Sequence, residues 1–89
     1  MAHYKIEVKT SVAMDFEAID SKAGRSRALA MIAALDDDVR PKNCEKLPEH
    51  HDYYRIRSGR HRIIYQVDDL RKQVTIFRIG QRRRQEPAW

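Results

Sequence analysis

The sequence predicts an α+β domain in which two N-terminal helices pack on one face of a small, mainly antiparallel sheet, in the order β-α-α-β-β-β. Three observations carry this reading. A segment of two-residue period opens the chain, two segments of helical period follow it, and after Pro41 the pattern changes to three short strand-like runs. Eighty-nine residues suffice for one core, so residues 1–89 should form a single domain with any site on its surface.

The first strand is expected over His3 to Lys9, where Tyr4, Ile6 and Val8 alternate with Lys5, Glu7 and Lys9. Thr10 or Ser11 can cap the first helix, in which Val12, Phe16 and Ile19 share a face; it should stop around Ser21 to Gly24. The second helix is expected from Arg25 towards Asp38, with Ala28, Met31, Ile32 and Leu35 inward. Pro41 forbids its continuation, so Val39 to Glu45 reads as a loop. Strands follow at about Tyr53 to Arg57, Arg60 to Val67 and Gln73 to Ile79, separated by turns at Ser58-Gly59 and around Asp68-Asp69. Tyr54, Ile56, Ile63, Tyr65 and Val67 would face the helices, with Tyr65 as a core aromatic.

A single cysteine, Cys44, excludes an internal disulfide and a multi-cysteine zinc site. No segment has the apolar run of a signal peptide or a membrane span, so a cytoplasmic location is expected. The net charge of +5 is unevenly distributed: residues 1–54 carry a net −2 and residues 55–89 a net +7. Such a concentration suits a polyanion or a strongly acidic protein partner.

Most of this charge lies in the hairpin YYRIRSGRHRIIYQV. With Ser58-Gly59 as a two-residue turn, Arg57 would oppose Arg60, Ile56 would oppose His61 and Arg55 would oppose Arg62, placing all four arginines on one face. Opposed side chains have Cβ atoms about 5 Å apart, and like charges near that range repel by on the order of 1 kcal/mol per pair in water. Folding gains nothing from that repulsion, whereas guanidinium forks fit phosphate oxygens. The hairpin therefore reads as a phosphate grip, extended by Arg78, Arg82, Arg83 and Arg84 and by Lys46 before it. No cluster of His, Cys, Asp or Glu has convincing metal-ligand spacing, and Asp36-Asp37-Asp38 reads as a helix end and loop. No cofactor or metal is expected.

The run Tyr54-Arg55-Ile56-Arg57, Gly59, Arg62-Ile63-Ile64-Tyr65, then an acidic turn, an apolar strand and Gly80-Gln81-Arg82-Arg83-Arg84, resembles the C-terminal half of the RelE/ParE toxin superfamily of type II toxin–antitoxin pairs. The resemblance implies the fold derived above. For the RelE branch it also implies a metal-independent endoribonuclease, an mRNA interferase that cuts messenger RNA on the ribosome. There the ribose 2′-hydroxyl attacks the adjacent phosphate, leaving a 2′,3′-cyclic phosphate and a 5′-hydroxyl. By the same resemblance Arg62 and Arg82 would hold the scissile phosphate, and Arg55 and Arg57 would add positive field and grip the RNA. The implied partners are a RelB-like antitoxin presenting acidic or apolar side chains, the ribosome with its messenger RNA, and operator DNA through the antitoxin alone.

Two departures bear on the chemistry. Arg57 stands where RelE-type enzymes usually carry lysine at one or both basic positions, and a guanidinium stays charged near neutral pH. The tyrosine common near the family's C-terminus is replaced by Glu86, Pro87 and Ala88 before Trp89, whose indole can stack on a base but cannot accept a proton. The general base is therefore open among His61, His50, His51 and Glu86. A ParE-like poison of DNA gyrase or a catalytically weakened RelE homologue is the first alternative, and a plain RNA-binding module the last.

Overall fold

A computed structural model of the chain describes residues 3–81. Strand β1 (Lys5–Val8) leads into helices α1 (Thr10–Glu17) and α2 (Lys22–Ala34), then β2 (Cys44–Lys46), β3 (Tyr53–Ser58), β4 (His61–Asp68) and β5 (Gln73–Gln81). The five strands form one sheet in the order β1-β5-β4-β3-β2, antiparallel except where β1 runs parallel to β5. Helices precede the meander and cover one sheet face, α1 against β5 and α2 against β3 and β4. Among the described residues no helix is long and apolar enough to cross a membrane.

The core is the apolar set expected of the hairpin and helices. Ile56, Ile63, Tyr65, Val67 and Ala28 are buried, and Leu35 and Ile19 close it just beyond the two helix ends. The Tyr65 hydroxyl donates to the Val39 carbonyl at 2.7 Å, which ties the loop after α2 to the middle of the sheet.

Several local expectations are corrected. Neither Thr10 nor Ser11 caps α1: both lie inside it, and the N-cap is Lys9, whose side chain makes no capping hydrogen bond. Ser21 does not end the first helix but starts the second, its hydroxyl accepting from the Gly24 N–H at 2.9 Å. Helix α2 stops at Ala34, so the aspartates follow it rather than extend it. Val8, though in phase with Ile6, is 52% exposed, at the end of β1, which is an edge strand. The expected loop after Pro41 contains a fifth strand, β2, which pairs with β3 through Cys44↔Ile56, Glu45↔Arg55 and Lys46↔Tyr54. Three residues with one apolar side chain carry no periodicity that could announce it.

The hairpin turn lies one residue further along the chain than expected, which moves every cross-strand partner by two and keeps each strand's faces. Ser58 pairs with His61, so the turn residues are Gly59 and Arg60. Gly59 has φ 62°, and glycine at the first central position is the mark of a type II′ hairpin turn. Arg57 consequently opposes Arg62, Ile56 opposes Ile63 and Arg55 opposes Ile64, while Arg60 leaves the face and projects from the tip.

Candidate RNA-contact face

Because side chains alternate along a strand, the register assigns the hairpin residues to two faces. Tyr54, Ile56, Ile63 and Tyr65 turn to the helices; Tyr53, Arg55, Arg57, Arg62 and Ile64 turn away from them. The arginine face is thus real but holds three hairpin arginines instead of four. Arg57 and Arg62 are direct cross-strand neighbours, and Gly80 lies opposite Arg62 on β5. Arg55 and Arg62 are buried, at 8% and 6% exposure, which is rare for a guanidinium and marks both as built into the surface.

Strand β2 supplies a residue that sequence reasoning missed. Glu45, opposite Arg55, places Oε1 at 3.0 Å from Arg55 Nη2 and 3.5 Å from Arg57 Nε. The pair with Arg55 is largely buried on the arginine side, so the carboxylate offsets the desolvation of that guanidinium. The missed signal was a lone glutamate in a presumed loop; only the pairing of β2 with β3 brings it to the arginines. The Asn43 side-chain amide, donating to the Arg57 carbonyl at 3.3 Å, fixes the same edge.

His61 lies on the other face. It opposes Ser58 and Gln81 and packs beneath α2, where a Cβ added to Gly24 would come within 3.4 Å of its Cε1. It is 9% exposed, and its Nε2 is buried without a hydrogen-bond partner among the described residues. The sheet separates His61 from Arg57 and Arg62, so it cannot act as a base on a phosphate held there. His50 and His51 are exposed loop residues. Lys46, opposite Tyr54, shares the helix-side face at the sheet edge rather than the arginine face. Arg78 is exposed on β5, opposite Ile64. Arg82, Arg83, Arg84, Glu86 and Trp89 lie outside the described residues. Near the N-terminus His3 approaches Asp36 and Asp37 at 3.4 and 3.1 Å, an exposed group far from the arginines in the chain order of the sheet.

Below the arginines the same face is not flat. The segment after β2 lies against Ile64, which is only 5% exposed although no helix covers its face, and Leu47 is buried beside it. A cavity of about 450 Å³ remains there, with Tyr53, Phe77 and His50 as aromatic lining and Arg78 beside them. The β4–β5 register slips between Ile64 and Tyr65, whose partners are Arg78 and Ile76, so Phe77 is the extra residue of a β-bulge.

A two-helix layer on one side of a five-stranded sheet, with a basic hairpin opening on the other, defines a toxin fold of the RelE/ParE superfamily. A family model described as "ParE toxin of type II toxin-antitoxin system, parDE" matches residues 6–86, and the chain belongs to that family. It is a toxin of a toxin–antitoxin system. Among solved structures, the archaeal RelE–RelB complex from Pyrococcus horikoshii OT3 is similar at 26% identity and TM-score 0.81, covering 92% of this chain and 98% of that chain. The isolated E. coli RelE toxin is similar at 21% identity and TM-score 0.78, covering 93% and 88%. The RelBE2 toxin–antitoxin complex of Mycobacterium tuberculosis is similar at 18% identity and TM-score 0.77, covering 91% and 100%. The last two likenesses concern the fold alone. No curated protein matches the chain.

Proposed function

We propose that this toxin is a metal-independent endoribonuclease that cleaves messenger RNA on the ribosome. The observation that carries the reading is the direct opposition of Arg57 and Arg62 on the face away from the helices, with Glu45 beside Arg57. Directly opposed arginines, with Cβ atoms about 5 Å apart, repel each other, and an anion that bridges their guanidinium groups gains from both. A scissile phosphodiester is such an anion, and its charge grows as the pentacoordinate state forms, so the pair binds the transition state more tightly than the ground state. Arg62, more deeply buried than Arg57, is the phosphate-stabilising group; Arg57 is its partner, and Arg82 joins them by the family resemblance.

Glu45 is the proposed general base. Its carboxylate is engaged by Arg55 and Arg57 in the free protein. When Arg57 turns to the phosphate, the carboxylate loses that contact and is placed to accept the proton of the 2′-hydroxyl. The 2′-oxygen then bonds to phosphorus, the bond to the 5′-oxygen breaks, and that oxygen takes a proton from solvent. The products are a 2′,3′-cyclic phosphate and a 5′-hydroxyl end.

Three structures similar to this one, from P. horikoshii, M. tuberculosis and E. coli, are complexes of RelE-type toxins with antitoxins. By extension this chain has a cognate antitoxin of RelB type, whose acidic or apolar side chains would cover the arginine face. Operator DNA would be contacted through that antitoxin, and the toxin would act in the cytoplasm, where ribosomes are.

The test is a translating extract given wild-type protein and Arg62→Ala in parallel, with the ends of the messenger RNA mapped. Ribosome-dependent cuts in the reading frame that carry 5′-hydroxyls and fall by about 100-fold or more in Arg62→Ala are expected, the scale of losing one transition-state donor. A second reading, a gyrase poison without nuclease activity, is favoured by the ParE description of the matching family. Intact messenger RNA together with trapped gyrase–DNA complexes would establish it in place of the first.

A further inference from the structure

The cavity beside the arginines has an architecture that neither the fold nor a phosphate grip requires. The bulge at Phe77 sends two consecutive side chains of β5, Phe77 and Arg78, to the same face and into the same cavity, where a regular strand would have sent Phe77 to the helices. Phe77 meets Tyr53 with ring centroids 5.0 Å apart and planes tilted by 56°, and Tyr53 meets His50 at 5.7 Å and 57°. Lys9 Nζ lies 4.5 Å from the centre of the Phe77 ring. The volume, about 450 Å³, falls within the roughly 300–1,000 Å³ of small-ligand clefts.

Ile64 in its lining follows Arg62 by two residues on the same face of β4, a displacement of about 7 Å along the strand. A group tethered within one nucleotide of a phosphate at Arg62 can therefore reach it.

We propose that this cavity receives an unstacked nucleobase adjacent to the phosphate held by Arg57 and Arg62, making Tyr53 and Phe77 the residues that select the cleavage position. The proposal rests on the ribonuclease reading. A planar base can stack on one of the tilted rings while meeting the edge of the other, as aromatic side chains do when they bind single-stranded RNA. Charge favours a nucleotide over an apolar side chain of a protein partner: Arg78 and Lys9 flank the aromatic lining and would meet the backbone phosphates of the strand that delivers the base. Glu49, at the same rim, offers an acceptor for an exocyclic amino group of the base.

The experiment uses the full chain and short single-stranded RNAs that carry 2-aminopurine at one position each, with fluorescence reporting stacking and titration reporting affinity. Phe77→Leu and Tyr53→Leu keep apolar bulk but remove the rings, and their circular dichroism is compared with wild type. The expected result is strong quenching at a single position by wild type. Each variant should lose that quenching and bind roughly tenfold more weakly, with an unchanged salt dependence because the phosphate contacts remain. RNA that binds with normal salt dependence but is quenched at no position, or equally by both variants, overturns the cavity assignment and leaves the arginine grip standing. Absence of RNA binding at low salt overturns this proposal, whereas the ribonuclease reading falls only if messenger RNA also stays intact in the translating extract. Variants that bind RNA as wild type does but fail to bind an antitoxin peptide would give the cavity to a protein partner instead.

Discussion

At the scale of single residues, the decisive one is Glu45, a carboxylate 51% exposed at its side chain yet aimed at a guanidinium that is nearly closed off from water. Two roles for it make different predictions. As a mere counter-ion it would compete with phosphate, and Glu45→Gln would strengthen RNA binding while leaving cleavage intact. As the base it would be needed for proton removal, so Glu45→Gln should lower the single-turnover cleavage rate by about 100-fold or more while RNA affinity stays equal or rises. We expect the second pattern. The arginine identities were legible in the sequence because four such residues in eight positions have no use in a core. The glutamate was not, because its role comes from a cross-strand neighbour ten residues away.

At the scale of elements, the hairpin turn sets which arginines face each other. Alternation along each strand was readable, but register depends on where glycine enters the turn, and moving the turn by one residue shifted every partner by two, exchanging the Arg57–Arg60 pair for Arg57–Arg62. Gly59 at φ 62° holds that choice. Gly59→Ala should destabilise the protein by about 1–2 kcal/mol, the cost of a left-handed backbone for an L-residue, or roughly 4–15 °C in Tm. Steric contact adds little, since the new Cβ would meet only the end of the Arg27 side chain, at 2.7 Å from Nη1, and that side chain can swing away. Thermal unfolding followed by circular dichroism checks this, and an unchanged Tm would mean that the turn tolerates another geometry.

For the whole molecule, one polar cluster joins segments distant in sequence. Arg40 donates from Nη2 and Nη1 to the two carboxylate oxygens of Asp69, at 2.7 and 3.3 Å, and from Nε to the Tyr54 hydroxyl at 2.9 Å. Tyr4 donates to Asp69 at 2.7 Å, so the start of β1, the loop after α2 and the β4–β5 turn share one anchor. The hydrogen bond from Arg40, and after it that from Tyr4, holds the Asp69 carboxyl below its ordinary range. A carboxyl lowered on folding stabilises the folded state above its unfolded value, near 4, and that contribution disappears as pH falls through the lower folded value. Wild type should therefore lose more Tm between pH 5 and about pH 2 than Asp69→Asn does. Equal losses in the two proteins would show that the cluster does not couple to folding; solvent exposure of both partners keeps the effect modest.

Composition and periodicity by themselves determined the α+β class, the strand and helix order, the apolar set that fills the core and the existence of a basic face, because each follows from local chemistry repeated at period 2 or 3.6. Tertiary structure alone decided what that face contains. The β2 pairing brought Glu45 to the arginines, the II′ turn put Arg62 opposite Arg57, α2 closed over His61, and the bulge at Phe77 opened a cavity. Each of those outcomes depends on cross-strand register or on packing between elements, which residue type and period alone do not fix.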